Sequence, residues 1–210
     1  MTAATAITRY WRLAARGRRL PKFAATAGLL LALLATGAND EEGIWRVLQQ
    51  GGTIVLMRHA ATDSRGDPLL LNPDDCSVER NLSAQGRDVA QRVGNAFREH
   101  SVPIAEVLSS RYCRTRDTAR LAFGRVRPWR SLDLIVVLPK REAEARTAEV
   151  AARIAGHAGS GNLVMVSHWP NIKAIAGERI PSGAFLVLKP DGAGSFKIIG
   201  RFAPADLTAN

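Results

Sequence analysis

Between residues 44 and 202, short apolar runs alternate with stretches in which apolar residues recur every three or four positions. Short runs rich in β-branched residues predict strands, and the spaced pattern predicts amphipathic helices. The predicted strands cover residues 53–58, 104–110, 132–138, 162–167, 184–189 and 195–202. The predicted helices follow Asp40, Ser83, Arg114, Glu142 and Pro170. Strands that alternate with helices in this way predict a layered α/β fold.

The N-terminal region differs in character from the rest of the chain. Residues 1–22 are basic and contain no acid, and an apolar run follows from Phe23 to Ala38. This run is shorter than the roughly 20 residues of a membrane-spanning helix. A basic start, an apolar centre and small residues at its end are typical of a secretory signal peptide.

Arg18-Arg19 gives this segment a partial likeness to a twin-arginine signal. We therefore predict a signal peptide or an uncleaved membrane anchor at residues 1–38 and a folded domain at residues 39–210. The domain is expected outside the cytoplasm, in the periplasm if the source is bacterial. Membrane contact is expected only through the N-terminal segment, if it stays uncleaved.

The formal net charge of +10 is unevenly distributed over the 210 residues. Six of the basic residues precede Asp40, the first acid, so the remainder of the chain carries a net charge of +4. A nucleic-acid-binding protein would show a basic stripe interleaved with aromatic residues, and this domain shows none in its sequence. A basic pocket for a small anionic substrate fits the charge better.

Three predicted strands are followed by residues that bind phosphate or exchange protons. Arg58-His59 ends the first strand, Arg114 opens the helix after the second, and His168 follows the strand at 162–167. Because the carboxyl ends of parallel strands meet at one edge of a sheet, we expect these residues to converge. Two guanidinium groups and a helix N-terminus can bind a phosphoryl group, and an imidazole can attack its phosphorus.

These segments resemble the motifs of the histidine phosphatase superfamily, which has the phosphoglycerate-mutase-like fold. Residues 56–62 are similar to its Arg-His-Gly box, with Ala60 in place of the glycine. The remaining matches are Asn81–Gly86, with its Leu-Ser-x-x-Gly helix start, Ser109–Ala119, with the second arginine, and Val166–His168, with the late histidine. The resemblance spans roughly residues 50–202 and points to a small bacterial member.

The resemblance implies a three-layer α/β sandwich, with a mostly parallel central sheet flanked by helices. It also implies that His59 is the phosphorylated nucleophile and that Arg58, Arg114 and His168 complete the phosphate pocket. Thr62 of the first box is a further expected phosphate contact. The implied substrate is a small phosphorylated molecule, and no metal or other cofactor is implied.

The general acid is left open by the sequence. Larger members carry a glutamate after the second motif, where this chain has residues 128–133. Asp133 is one candidate for the proton donor, and Asp63, four residues after the nucleophile, is another. Both can equally serve as loop or cap residues.

Cys76 and Cys113 are the two cysteines of the chain. No CxxC pair is present, so a structural zinc site is not expected. In an oxidising compartment the two cysteines can form a disulfide, and otherwise they remain free thiols. A disulfide would link the long polar loop at residues 60–80 to the residue before Arg114.

Three functions fit these features. The first is an exported phosphatase that hydrolyses a phosphoric monoester through a phosphohistidine on His59. The second narrows the substrate to phosphorylated sugars or lipopolysaccharide of the cell envelope. The third is a binding protein that retains the phosphate pocket without turnover. A mutase is disfavoured, because residues 123–142 are too few for the insertions that cover mutase pockets.

Overall fold

The computed structural model describes residues 36–67, 72 and 75–207. Its helices are α1 (Thr36–Gln50), α2 (Ala84–Glu99), α3 (Cys113–Phe123), α4 (Lys140–Ala155) and α5 (Trp169–Ala176). Its strands are β1 (Ile54–Arg58), β2 (Ile104–Ser109), β3 (Arg127–Pro128), β4 (Asn162–Ser167), β5 (Phe185–Pro190) and β6 (Phe196–Phe202). They form one sheet in the order β3-β2-β4-β1-β5-β6.

The sheet is mostly parallel, as predicted. Strand β4 lies between β2 and β1 and pairs in parallel with both, and β3 extends the parallel part beyond β2. Strand β5 runs antiparallel to β1, and β6 closes the sheet as the second strand of a hairpin. The predicted hairpin is therefore confirmed.

Helices cover both faces of the sheet. Because successive side chains of a strand point to opposite faces, Val55 and Met57 of β1 pack in one core with residues of α1, α2 and α3. Ile54 and Leu56 pack in the other core with residues of α4 and α5. A strand buried on both faces needs no polar positions, which explains the unbroken apolar run of β1. The predicted three-layer sandwich is confirmed.

Helix α1 is fixed to the sheet by Trp45. Its indole stacks on His100, with 4.2 Å between ring centroids, and contacts the rings of Phe97 and Phe202. No helix among the described residues is long and apolar enough to cross a membrane. The predicted leader lies almost wholly outside the described residues, so its boundary stays a prediction.

The predicted strand at 132–138 is wrong. This segment instead contains two 3-10 turns, at Arg130–Leu132 and Ile135–Val137. Its backbone carbonyls bond to side chains rather than to a neighbouring strand: Ser167 Oγ donates to Leu132 at 2.7 Å, and Asn171 Nδ2 donates to Asp133 at 2.8 Å. An apolar run alone cannot distinguish these two ways of satisfying the backbone.

The helix start at Ser83 packs closely on the chain that follows His59. Ser83 Oγ caps α2 by accepting the amide of Gly86 at 3.0 Å, and the amide of Ser83 donates to the carbonyl of Ala61 at 3.1 Å. A Cβ atom at Gly86 would lie 1.9 Å from that same carbonyl oxygen. The glycine of the Leu-Ser-x-x-Gly motif therefore permits close contact between α2 and the nucleophile segment.

Cys76 and Cys113 form a disulfide, with 5.7 Å between their Cα atoms. It links a 3-10 turn at Cys76–Val78 to the first residue of α3. The guanidinium of Arg116 contacts both sulfur atoms, at 3.2 and 3.3 Å. The polar loop after β1 is thus covalently joined to the helix that carries Arg114.

Breaking this disulfide is expected to lower the free energy of unfolding by about 4 kcal/mol, because it closes a long loop in the unfolded chain. The sequence separation of the two cysteines is 37. Urea unfolding of the protein with and without reductant measures the loss. A Cys76→Ala/Cys113→Ala double variant should have the free energy of unfolding of the reduced protein, and reductant should not change it. Identical curves for the oxidised and reduced wild type would contradict the expectation.

Candidate active site

The pairing of β1 with β4 places the two predicted histidines side by side. Arg58 lies opposite Ser167 in the register, and the amide of His59 donates to the carbonyl of Ser167 at 3.0 Å. The next residue on each strand is a histidine, and the two ring centroids are 5.5 Å apart. The predicted convergence of His59 and His168 at one edge of the sheet is therefore observed.

His59 is buried and neutral. Its Nδ1 lies 2.8 Å from the carbonyl oxygen of Ala60, which assigns the ring hydrogen to Nδ1 and leaves the lone pair on Nε2. Burial lowers the pKa of His59 to about 3, assisted by the charge of Arg114 and opposed by the bond to Ala60. At neutral pH the ring therefore presents an unprotonated Nε2, the form that attacks phosphorus.

Arg114 connects His168 to the loop after β1. It lies in the first turn of α3 and is buried. Its Nη1 forms an ion pair with Asp67 Oδ1 at 2.7 Å, and its Nη2 donates to His168 Nδ1 at 3.3 Å. Its guanidinium also lies over the ring of Tyr112, 4.6 Å from the centroid. Burial lowers the pKa of Arg114 from its usual value, but a guanidinium remains charged at neutral pH.

His168 holds Arg114 in place through a chain of hydrogen bonds. Because Arg114 donates to Nδ1, the ring hydrogen is on Nε2, which donates to Ser110 Oγ at 2.9 Å. Ser110 Oγ also accepts the amide of Tyr112 at 3.2 Å and donates to Asp133 Oδ1 at 3.2 Å. Burial and the charge of Arg114 hold the pKa of His168 well below its usual value. His168 is thus a neutral ring that orients the arginine.

Asp133 belongs to this chain of hydrogen bonds and not to the nucleophile's surroundings. Its carboxylate accepts the amide and the Nε of Arg111, each at 2.8 Å, and forms an ion pair with Arg111 Nη2 at 2.7 Å. Both oxygens of this carboxylate are therefore engaged by donors within the protein. These contacts do not support the prediction that Asp133 donates a proton.

Asp63, the second candidate donor, lies at the protein surface. Its carboxylate pairs with Arg65 Nε at 3.3 Å and accepts the amide of Arg65 at 3.3 Å. Among the described residues it makes no hydrogen bond or ion pair with Arg58, Arg114 or His168. Its contacts are those of a loop residue.

Arg58, Ala60 and Thr62 complete the nucleophile segment. Arg58 Nη1 donates to the carbonyl of Ile180 at 3.0 Å, whereas its buried Nε has no partner among the described residues. The methyl group of Ala60 is buried in a small apolar cluster with α2, and its amide donates to Thr118 Oγ1 at 3.1 Å. Thr62 forms an isolated bridge with Leu82, and its predicted phosphate contact is untested.

The N-terminus of α3 already carries a carboxyl group of this chain. Glu79 is fully buried, and its Oε2 accepts the amide of Cys113, the first residue of the helix, at 2.8 Å. Burial raises the pKa of Glu79 above its usual value. The first amide of α3 is therefore occupied, and the positive charge expected for phosphate comes from the arginine side chains.

The sequence reasoning missed Asp67, Arg80 and Ser110. Ser110 stands within the second motif, so its place after β2 was a usable signal. Asp67 and Arg80 lie in a loop with several acids and arginines, and no spacing distinguishes them. Only the fold places Asp67 against Arg114 and brings Arg80 Nη2 to 3.7 Å from Asp67 Oδ2.

The structure resembles several solved proteins at low sequence identity. The protein histidine phosphatase SixA complexed with tungstate is 18% identical, with a TM-score of 0.54 over 74% of this chain and 99% of that one. The product of open reading frame Rv3214 from Mycobacterium tuberculosis is 19% identical, with a TM-score of 0.54 over 70% and 94%. A phosphoserine phosphatase mutant from Entamoeba histolytica is 12% identical, with a TM-score of 0.54 over 74% and 99%. These similarities establish the fold. No curated protein matches the chain.

A neutral buried histidine beside two arginines, at the carboxyl edge of a mostly parallel sheet, is an arrangement that can bind and transfer a phosphoryl group. The profile of the histidine phosphatase superfamily (branch 1) matches residues 54–134, which include the first box and the second arginine motif. Within these residues the chain is similar to the histidine phosphatase superfamily.

The depressed pKa of His59 makes stability depend on pH. Between about pH 3 and about pH 6.5, His59 is protonated in the unfolded chain but not in the folded protein. The contribution of His59 to the free energy of unfolding is therefore complete above about pH 6.5. It declines by about 1.4 kcal/mol for each pH unit below that value. In urea unfolding, wild type should lose about 2 kcal/mol more than His59→Gln between about pH 6.5 and about pH 4.5. Equal losses would show that folded His59 takes up a proton as readily as the unfolded chain does.

Proposed function

We propose that this protein is an exported phosphatase that hydrolyses a phosphoric monoester through a phosphohistidine on His59. The observation that carries the proposal is the state of His59: its Nδ1 is held by the carbonyl of Ala60 and its pKa is lowered to about 3. Nε2 is then a free nucleophile at neutral pH. Arg58 and Arg114 flank it with charges that a phosphoryl group can neutralise.

The chemistry follows from these groups. The lone pair of His59 Nε2 attacks phosphorus, the N–P bond forms, and the bond from phosphorus to the leaving oxygen breaks. Arg58 and Arg114 stabilise the negative charge on the phosphoryl oxygens during the transfer. His168 keeps the guanidinium of Arg114 in position. Water then attacks the phosphohistidine and releases inorganic phosphate.

The names of the structural relatives bear on the substrate class. One is called a protein histidine phosphatase and another a phosphoserine phosphatase. Both names describe phosphate carried on an amino-acid side chain, and both proteins share only the fold with this chain. They support a phosphate monoester or phosphohistidine as the class of substrate and do not select one compound.

Export is supported by the sequence of the leader and by the disulfide. A basic segment followed by a short apolar run is typical of a signal peptide. Disulfides persist in oxidising compartments and are rare in the reducing cytosol, and Cys76 and Cys113 are joined. Both features suit a protein that acts outside the cytoplasm.

The test is phosphorylation of His59 during turnover of p-nitrophenyl phosphate. Wild type should release p-nitrophenol and, when stopped in alkali, should carry an acid-labile phosphate that peptide mass spectrometry assigns to His59. His59→Ala should lose turnover by about a thousandfold or more and carry no phosphate. His157→Ala is the matched control, because His157 lies beyond the end of α4 and bonds to the carbonyl of Gly161.

Two outcomes would contradict the proposal. Wild type no more active than His59→Ala would favour the binding protein that keeps the pocket without turnover. Full activity without phosphate on His59 would mean that water attacks the substrate directly.

A further inference from the structure

We propose that Asp67 is the proton donor to the leaving group. The inference rests on the proposed phosphatase function. It assigns a residue to the protonation of the leaving group, for which the arginine and histidine motifs supply none. Among the carboxylates of the described residues, Asp67 is the one that forms an ion pair with Arg114. It therefore lies beside the guanidinium that would bind the transferred phosphoryl group.

A chain of contacts links Asp67 to the nucleophile through Arg114 and His168. Arg114 holds Asp67 Oδ1 at 2.7 Å with one terminal nitrogen and His168 Nδ1 at 3.3 Å with the other. The ring of His168 is in turn 5.5 Å from the ring of His59. A phosphoryl group that bridges His59 and Arg114 would bring its ester oxygen within reach of the neighbouring carboxyl group.

The two oxygens of Asp67 have different surroundings. Oδ1 accepts from Arg114 and from the amide of Arg80, the latter at 3.4 Å. Oδ2 lies 3.7 Å from Arg80 Nη2, beyond hydrogen-bond length, and accepts no hydrogen bond from a described residue. Within the described residues, a proton on Oδ2 therefore displaces no hydrogen bond.

Accessibility also separates Asp67 from the donor that the sequence suggested. The side chain of Asp67 is 22% exposed, so a leaving group and water can reach it. The side chain of Asp133 is 5% exposed and is held by Arg111. A proton donor has to contact both the departing oxygen and the entering water, and Asp67 meets this requirement.

Substrate binding changes the charge around Asp67. Before substrate binds, Arg114 and Arg80 both face the carboxylate. A bound phosphate takes over the charge of Arg114 and places a second anion beside Asp67, and a proton held between the two anions relieves their repulsion. Among the described residues, Glu79 and Tyr112 are the other titratable groups near Asp67, and burial raises the pKa of both. Neither adds a cation that would oppose protonation.

The proton balance closes when the substrate binds as its monoanion and passes its proton to Asp67. As the His59 Nε2–P bond forms, the bond from phosphorus to the leaving oxygen breaks, and that oxygen takes the proton from Asp67. The alcohol departs and Asp67 becomes a carboxylate. Water then attacks the phosphohistidine and gives a proton to Asp67, and the departing phosphate takes this proton, so that Asp67 pairs with Arg114 as a carboxylate again.

The experiment compares wild type, Asp67→Asn and Asp63→Asn on phosphate esters whose leaving groups range from p-nitrophenol through phenol to a simple alcohol. A proton donor matters most for poor leaving groups. We expect Asp67→Asn to keep kcat/KM for p-nitrophenyl phosphate within about tenfold and to lose about 100-fold or more for the alkyl phosphate. Asp63→Asn, which changes a surface carboxylate of the same loop, should follow wild type throughout.

Phosphohistidine levels give an independent readout. Because Asp67 also accepts the proton of the attacking water, Asp67→Asn should accumulate phosphorylated His59 during turnover of p-nitrophenyl phosphate. A residue that merely held Arg114 in place would lower phosphorylation instead.

The outcomes separate this inference from the proposed function. A uniform loss on every ester, or no loss on any, would overturn the role of Asp67 and leave the phosphatase intact. A wild type that neither turns over an ester nor becomes phosphorylated on His59 would overturn both.

Discussion

The parallel pairing of β1 with β4 is the constraint on which the site depends. It sets Arg58 opposite Ser167 and joins His59 to the carbonyl of Ser167. Each strand is buried on both faces, so a shift of one residue would exchange the side chains of the two cores and is strongly disfavoured. The same burial that fixes the register therefore fixes the spacing of the two histidines.

Burial also determines the chemical state of the site. Imidazoles deprived of water lose their protons more easily, and the positive charge of Arg114 acts in the same direction. Both rings are consequently neutral, but their neighbours give them different tautomers. His59 donates through Nδ1 to a carbonyl, and His168 donates through Nε2 to a hydroxyl. One ring is left with a free nucleophilic nitrogen, and the other uses its lone pair to hold an arginine.

The elements of this fold were predictable where one physical signal was dominant. Continuous apolar runs identified β1 and β4, and the Ser83 cap identified the start of α2. The strand prediction for residues 132–138 was wrong because the carbonyls of this segment accept hydrogen bonds from Ser167 and Asn171. Such long-range contacts leave no periodicity in the sequence. The convergence of Arg58, His59, Arg114 and His168 could be predicted because each ends or follows a strand of the sheet.

Asp67 could not be found in the same way, because its place depends on the path of a polar loop. That path is set by contacts distant in sequence: the disulfide to Cys113, and the bond from the amide of Cys113 to Glu79. They join the loop to α3 directly beside Arg114. A composition rich in acids and arginines predicts exposure, and it cannot indicate which acid turns toward the pocket.

The position of Asp67 also explains how a pocket built for an anion exists without one. Arg58, Arg80 and Arg114 act on the same small region, where each lowers the pKa of His59. Cations held close together repel one another, and burial increases the cost because water no longer screens them. Asp67 offsets part of this repulsion when the site is empty, by pairing with Arg114 and facing Arg80. A phosphate that replaces it at Arg114 gains the same favourable interaction. The released carboxyl group then lies beside the bound phosphate, so charge balance before binding and the proposed proton donation after it draw on one residue.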